Sequence, residues 1–346
     1  MRCISAAAVA DAPLPERARL ESVRHLGRRF PQARLREVPI VRAGELDLRA
    51  DPEGATRVWL ALETLQVTGS FKVRGALVAL DSRRGEPLRV VAASAGNHGA
   101  AMAYAGNVLD VPVTVCVPRT APRAKRERIT HYGAELVVVA SDHYDDAEAL
   151  AKKLAVTRGA TFVSPYDDLD VILGNGVSLG FEIARGLAGV PERLLAPFGG
   201  GGLATGLAWA MRVESGDSWA RCVWGVQSEA SCAMAMSLER GSAVERLETG
   251  GTTLAEGLEG GISADAFARA RAAVAGVLVA AETQVAQTMA YAHRSMGLVL
   301  EGSAATALVP VLFGLPEALR GGDLLVVLTG RNVDPERLDA LQLPGA

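Results

Sequence analysis

Lysine is nearly absent from this chain: of 36 Lys and Arg residues, only Lys72, Lys125, Lys152 and Lys153 are lysine. Arginine keeps its proton at any workable pH whereas lysine can lose it, so chemistry that needs a neutral amine has very few seats here. Cysteine is equally scarce. Cys3, Cys116, Cys222 and Cys232 make no close pair and no zinc-type spacing, which excludes a disulfide scaffold or zinc module and points to a reducing, cytoplasmic compartment. No apolar run approaches ~18 uninterrupted residues, so no membrane span is expected. The formal charge is only −3, without the basic excess that nucleic-acid binding draws on.

What is present is 346 residues, 49% of them hydrophobic, with 37 Gly and 16 Pro. That is enough for one large or two modest domains with a buried core, and too apolar for disorder. Met1 to Ala10 faintly resemble a secretory leader, but the apolar stretch is short and alanine-rich. The first ~50 residues, Arg- and Pro-rich and without period, are expected to wrap or cap the larger domain.

From residue 57 onward, apolar or β-branched runs of strand length alternate with helix-period stretches. The runs fall at 57–62, 90–93, 111–117, 136–140, 161–163, 194–197, 222–226, 277–281 and 324–328. Pro122 opens one helical stretch and Gly133 closes it; Asp142 precedes another that ends near Gly159. Strands apolar throughout, alternating with helices, indicate parallel sheets covered on both faces. Their number predicts an α/β chain with two doubly wound domains. In such sheets ligands collect at the carboxyl ends of strands, and four segments follow strands with the right polarity.

The first runs from Glu63 to Ala76 and places Lys72 in the first turn of a helix. The helix's partial positive charge, and burial beside Phe71, would push this amine towards its neutral, nucleophilic form; the plain alternative is a surface lysine. Lys125, amid Arg123, Arg126 and Arg128, and Lys152–Lys153, on a helix with Glu148, read as solvated faces. The second is Ser94-Ala95-Gly96-Asn97-His98-Gly99, whose backbone N–H groups and side chains suit a carboxylate; a capped turn is its plain reading. The third, Gly199-Gly200-Gly201-Gly202-Leu203, follows a strand directly. Four glycines are costly in backbone entropy, and they fit neither the dinucleotide nor the nucleoside-triphosphate pattern, which leaves a monophosphate cradle rather than a tight turn. The fourth is Thr329-Gly330-Arg331-Asn332, where Thr329 could meet a ring nitrogen. A decoy competes: Gly176-Val177-Ser178-Leu179-Gly180 fits a hydrolase nucleophile elbow with 171–173 as its strand and His293 as base.

A nucleophilic lysine, a monophosphate cradle, a carboxylate turn and a neutral ring-nitrogen partner describe a pyridoxal phosphate site for amino acids. The runs Ser70 to Ala76, Ser94 to Gly99 and Gly199 to Leu203, with Glu301-Gly302-Ser303 and Thr329 to Asn332, resemble the threonine/serine dehydratase family of fold type II pyridoxal phosphate enzymes, over roughly residues 35–335. The resemblance implies the tryptophan synthase β-like fold: a large cofactor-binding domain from 1–84 and 172–346, a small α/β domain inserted at 85–171, and no C-terminal regulatory domain. It also implies that Lys72 bonds the cofactor aldehyde and, once displaced by substrate, takes the α-proton. Phe71 would pack on the ring, Asn97 bond its phenolic oxygen, Gly199, Gly200, Gly201, Gly202 and Leu203 hold the phosphate, and Thr329 meet the pyridine nitrogen. Ser94, Ala95, Gly96, Asn97 and His98 would grip the substrate carboxylate. The reaction implied is loss of the β-hydroxyl of threonine or serine, giving a 2-oxo acid and ammonia, in a homodimer.

Departures separate the branches. Related serine racemases place a second serine where this chain has Ala95, so elimination is favoured over racemisation. Gln227 stands where racemases and some dehydratases begin a cation site with Glu, so no structural metal is expected. The segment from Leu173 to Val177 replaces the usual Ala-Gly-Gln-Gly-Thr and reads as a helix start; Arg331 replaces a glycine near the ring. Both can reshape the substrate pocket, which keeps hydroxyaspartate, phenylserine and a hydroxyectoine-derived acid open as substrates. Alternatives of other kinds are β-replacement, a catalytically idle amino-acid sensor, and the Ser178 hydrolase.

Overall fold

The computed structural model describes residues 1–6, 14–83, 88–216, 221–247 and 253–341. Eleven strands are present among them: β1 (Arg2–Ser5), β2 (Ile40–Arg42), β3 (Thr56–Leu62), β4 (Val90–Ala93), β5 (Val113–Pro118), β6 (Glu135–Val139), β7 (Thr161–Phe162), β8 (Arg193–Pro197), β9 (Val223–Ser228), β10 (Gly276–Ala280) and β11 (Gly322–Leu328). They form a seven-stranded sheet in the order β1-β10-β9-β8-β11-β3-β2 and a four-stranded sheet in the order β6-β5-β4-β7. Every strand expected from the sequence is there, each end within two residues. The smaller sheet is parallel throughout, and the larger is parallel except for its two edges.

Those edges correct one expectation. The first ~50 residues do more than wrap: β1 pairs antiparallel with β10, and β2 pairs antiparallel with β3. Of the leader-like opening, residues 7–10 lie outside the described residues, while Arg2–Ser5 form β1.

The strands are apolar on both faces because both faces are covered. Along β11, Leu324, Val326 and Leu328 enter one core, and Leu325 and Val327 enter the other. In the small sheet Val90, Ala92, Val115 and Val117 face one core and Val91, Ala93 and Cys116 the other. This period-two partition between two dry layers is what a doubly wound sheet requires. Truncating Leu325 to alanine would therefore cost about 2–5 kcal/mol.

The elbow does not exist. Residues 169–187 form one continuous helical run, α-helical at Leu169–Ile172, π-helical at Leu173–Val177 and α-helical again at Ser178–Leu187. No strand precedes Ser178, which is fully buried and donates to the Gly174 carbonyl at 2.6 Å. The segment is the middle of a helix rather than its start, and its glycines serve packing. A Cβ on Gly174 would lie 2.4 Å from the Arg74 carbonyl, and one on Gly176 would lie 2.6 Å from the Gly206 Cα. Asn175 accepts a bond from the Gly75 amide at 2.9 Å, so three helices meet at backbone distance here.

Candidate active site

The four post-strand segments converge at the carboxyl ends of β3, β4, β8 and β11. The Phe71 amide donates to the Thr329 carbonyl at 3.0 Å, and Ser70 bridges Gly330. Asn97 brings the small sheet to the large one: its amide donates to Glu301 at 2.7 Å and accepts from Asn332 at 2.6 Å. Asn332 in turn donates to the Thr68 carbonyl at 2.9 Å.

Lys72 is the first residue of the helix Lys72–Asp81, as the sequence predicts. Its amine donates to the Pro165 carbonyl at 3.0 Å and lies 5.2 Å from the centre of the Phe71 ring. Burial lowers its pKa to about 8, with the charge of Glu301 pulling the other way. Glu301 is itself pushed up to about 7 by burial, opposed by its bond from Asn97. Near neutral pH, Lys72 is thus a buried cation with a weak counter-charge, and a small rise in pH frees a nucleophile.

The tetraglycine is tight for reasons beyond a ligand. A Cβ on Gly200 would lie 2.7 Å from the Tyr166 ring, one on Gly202 3.1 Å from the Tyr166 carbonyl, and one on Gly199 3.2 Å from Leu258. Gly201 has φ +86, left-handed, over the Phe198 ring. Close packing therefore requires glycine at Gly200, strain favours it at Gly201, and space is tight at Gly199 and Gly202, so the four glycines do not by themselves mark a cradle rather than a tight turn. The case for a ligand rests on the amides: from Gly199 to Leu203, no backbone N–H reaches an acceptor among the described residues. They open the helix Gly202–Ser215, an arrangement built for an anion.

The turn after β4 is similar. Ser94 is not an N-cap; its hydroxyl accepts from the Gly96 amide at 3.2 Å, and the helix Asn97–Leu109 starts without a side-chain cap. The amides of Ala95, Asn97 and His98 have no acceptor among the described residues. His98 is buried, one ring nitrogen 3.4 Å from the Val163 carbonyl and Nδ1 without a partner among the described residues. Burial, then the charge of Lys72, lowers its pKa to about 3, so the imidazole is neutral. Ser70 Oγ is likewise buried without a partner among the described residues.

Other residues escaped the sequence reading. Pro165 contributes only a carbonyl, which no residue pattern marks. Tyr166 lies against Gly200 and Gly202, and burial pushes its hydroxyl up to about 12. The Tyr144 hydroxyl donates to the Ala93 carbonyl at 3.2 Å, beside Ser94, and burial raises its pKa. Arg331 is an exposed residue whose guanidinium donates to the Thr64 carbonyl. Lys125 is not on a free face, since it pairs with Glu256 at 2.6 Å.

Residues 33–330 match a family described as pyridoxal-phosphate dependent enzyme. The chain is 34% identical over 287 residues to the L-threonine ammonia-lyase of Thermotoga maritima, covering 82% of this chain and 69% of that one. It is also 34% identical over 295 residues to an L-threo-3-hydroxyaspartate ammonia-lyase of a Pseudomonas species, covering 84% and 89%. The crystal structure of a T.th. threonine deaminase superimposes with a TM-score of 0.80 at 31% identity, covering 92% of this chain and 99% of that one.

Proposed function

Because the chain belongs to the family of pyridoxal-phosphate dependent enzymes, we propose that these four segments are the active site of an ammonia-lyase that removes the β-hydroxyl of a hydroxy amino acid, threonine or serine first. The protein is a pyridoxal phosphate-dependent lyase, in keeping with relatives named threonine and hydroxyaspartate ammonia-lyases. When bound, the cofactor supplies an aldehyde for an amine to bond and a conjugated ring that draws electrons from the substrate's Cα.

The residues fit that group. Among the described residues, the amides from Gly199 to Leu203 are an unfilled anion cradle and His98 Nδ1 and Ser70 Oγ are buried polar atoms without partners, while Lys72 is a buried amine that gives up its proton near pH 8. In this reading Gly199, Gly200, Gly201, Gly202 and Leu203 would hold the phosphate, Phe71 would pack on the ring, Asn97 would bond its hydroxyl and Thr329 would be the partner of its nitrogen. Thr329 is neutral, so it does not fix a proton on that nitrogen as a carboxylate would. The free amides of Ala95, Asn97 and His98, with Ser94 and Gly96 shaping the turn, receive the substrate carboxylate. Lys72 Nζ takes the α-proton; the Pro165 carbonyl gives that amine a resting place when it is not covalently engaged. Ala95 offers no acid on the opposite face, which favours elimination over racemisation. Residues 85–171 act as an inserted domain carrying the carboxylate turn, in a cytoplasmic homodimer; among the described residues no helix is long and apolar enough to cross a membrane.

The observation that carries the reading is Lys72, with its pKa near 8, whose amine rests on the Pro165 carbonyl next to the Tyr166 that packs on Gly200 and Gly202, and whose charge acts on His98 in the other turn. The test is release of 2-oxo acid and ammonia from threonine, serine, threo-3-hydroxyaspartate and phenylserine, without added thiol. Turnover of at least one is expected, and Lys72→Ala should lose both turnover and the visible colour of the bound cofactor. Product that forms only when a thiol is supplied would instead mark β-replacement.

A further inference from the structure

Gln227 has a task that the reaction itself does not explain. It lies near the end of β9, it is 1% exposed, and both ends of its amide are used. Its Nε2 donates to the Phe198 carbonyl at 3.1 Å, and its Oε1 accepts from the Ala235 amide at 3.0 Å. Phe198 is the residue before the tetraglycine. Its own amide donates to the Val226 carbonyl at 2.9 Å, so β9 holds both backbone groups of this residue. Its ring is pinned as well: a Cβ on Gly225 would lie 2.5 Å from it, and one on Gly201 would lie 3.0 Å from it. At the other end, Ala235 is in the first turn of the helix Ala233–Arg240, where an amide has no intrahelical acceptor.

We infer that Gln227 is the positioning residue of the phosphate cradle: its neutral amide fixes the Phe198 carbonyl, and so the aim of the amides from Gly199 to Leu203, by bracing it against the start of the next helix. Only a side chain that donates at one end and accepts at the other can do this in a dry site. An ionised carboxylate cannot donate to the Phe198 carbonyl and would face it oxygen to oxygen; a carboxyl group could take this place only by binding a proton, so the loss in Gln227→Glu should grow as pH rises. This inference rests on the reading that the cradle binds the cofactor phosphate.

The test is pyridoxal phosphate titration of apo-protein, wild type against Gln227→Glu and the uncharged Gln227→Met. Both variants should raise the cofactor Kd, Gln227→Glu by at least tenfold, while kcat at saturating cofactor stays within about threefold. The rise in thermal midpoint on adding cofactor should shrink by the same logic, because stabilisation follows ligand concentration over Kd. A residue that only supports the fold would lower the apo and holo midpoints equally and leave Kd alone; that result overturns the inference. Should neither variant fold, hydrogen exchange on the wild type decides. Cofactor should slow exchange in 199–203 and at Ala235 together. Slowing in the cradle with Ala235 unchanged refutes the brace and leaves the phosphate reading standing, whereas no slowing in the cradle refutes both.

Discussion

Two cations two residues apart, Lys72 and Arg74, open the same helix and meet opposite fates. Arg74 points into the protein, fully buried, where Glu63 bonds it at 2.9 and 2.8 Å and Glu182 at 2.9 and 2.7 Å. Burial pulls its pKa down, but the two carboxylates more than reverse this. Lys72 points into the cleft, with a carbonyl for a partner and Glu301 as its distant counter-charge. One helix turn thus holds a saturated guanidinium and a starved amine. Side-chain direction decides which cation receives the carboxylates, and among the described residues it leaves the reactive one without any in hydrogen-bond reach.

Breaking each member separately gives the largest effects. Arg74→Met strands Glu63 and Glu182 in a dry core and should destabilise the fold by about 3–5 kcal/mol, a large share of an ordinary domain's margin. Lys72→Met should abolish turnover, by roughly a thousandfold or more, yet leave thermal unfolding of the apo-protein unharmed. Thermal midpoints of the two apo-variants, measured side by side, check this; equal losses would dissolve the contrast.

A change of pH sharpens it. Lys72 titrates near 8 in the fold and at its ordinary 10.5 when unfolded, so between these values the unfolded state binds more protons and this residue's contribution to stability rises with pH. Below 8 the buried ammonium is a standing cost, and Lys72→Met should raise the thermal midpoint there. The rate at which apo-protein bonds pyridoxal phosphate should climb through about pH 8. Above pH 7 Glu301 is charged and favours the ammonium, so Glu301→Gln should move that climb to lower pH. Movement to higher pH would mean that another group governs the amine.

Much of this was legible in the chain. Two-faced apolar strands announce themselves by composition, and the segments after β3, β4, β8 and β11 carry residue types that chemistry demands. What was not legible is what depends on distant pairs or on backbone atoms. The partners Arg74 and Glu182 are 108 residues apart, and the Pro165 carbonyl that seats Lys72 belongs to no motif. β1 and β2 are too short to show a period and exist because a sheet edge was open to them. The π-helical turn at Leu173–Val177 imitated an elbow because close helix packing and a strained nucleophile turn both ask for spaced glycines. Likewise the tetraglycine owes its glycines to Tyr166, Leu258 and Phe198 as well as to any anion.

The remaining lysines set the lower end of the scale. Lys125 reaches from the helix Arg123–His131 to Glu256, which also pairs with Arg337, and so ties segments far apart in the chain. The side chains stay 31% and 44% exposed, however, and solvent screens most of what the pair gains. Lys125→Ala should cost no more than about 1 kcal/mol, shrinking further in high salt. Lys152, paired with Glu148 one turn back along its own helix at 3.4 Å, should cost about 0.3–0.5 kcal/mol. A double-mutant cycle of Lys125 with Glu256, run at low and high salt, measures the first term directly. Lys125 also acts on Glu301, holding its pKa down against burial, so Lys125→Ala should move the pH dependence of cofactor bonding slightly while leaving the fold intact. A coupling as large as that of Arg74 would mean the clasp is desolvated after all, and that exposure does not divide this protein's cations into structural and dispensable ones.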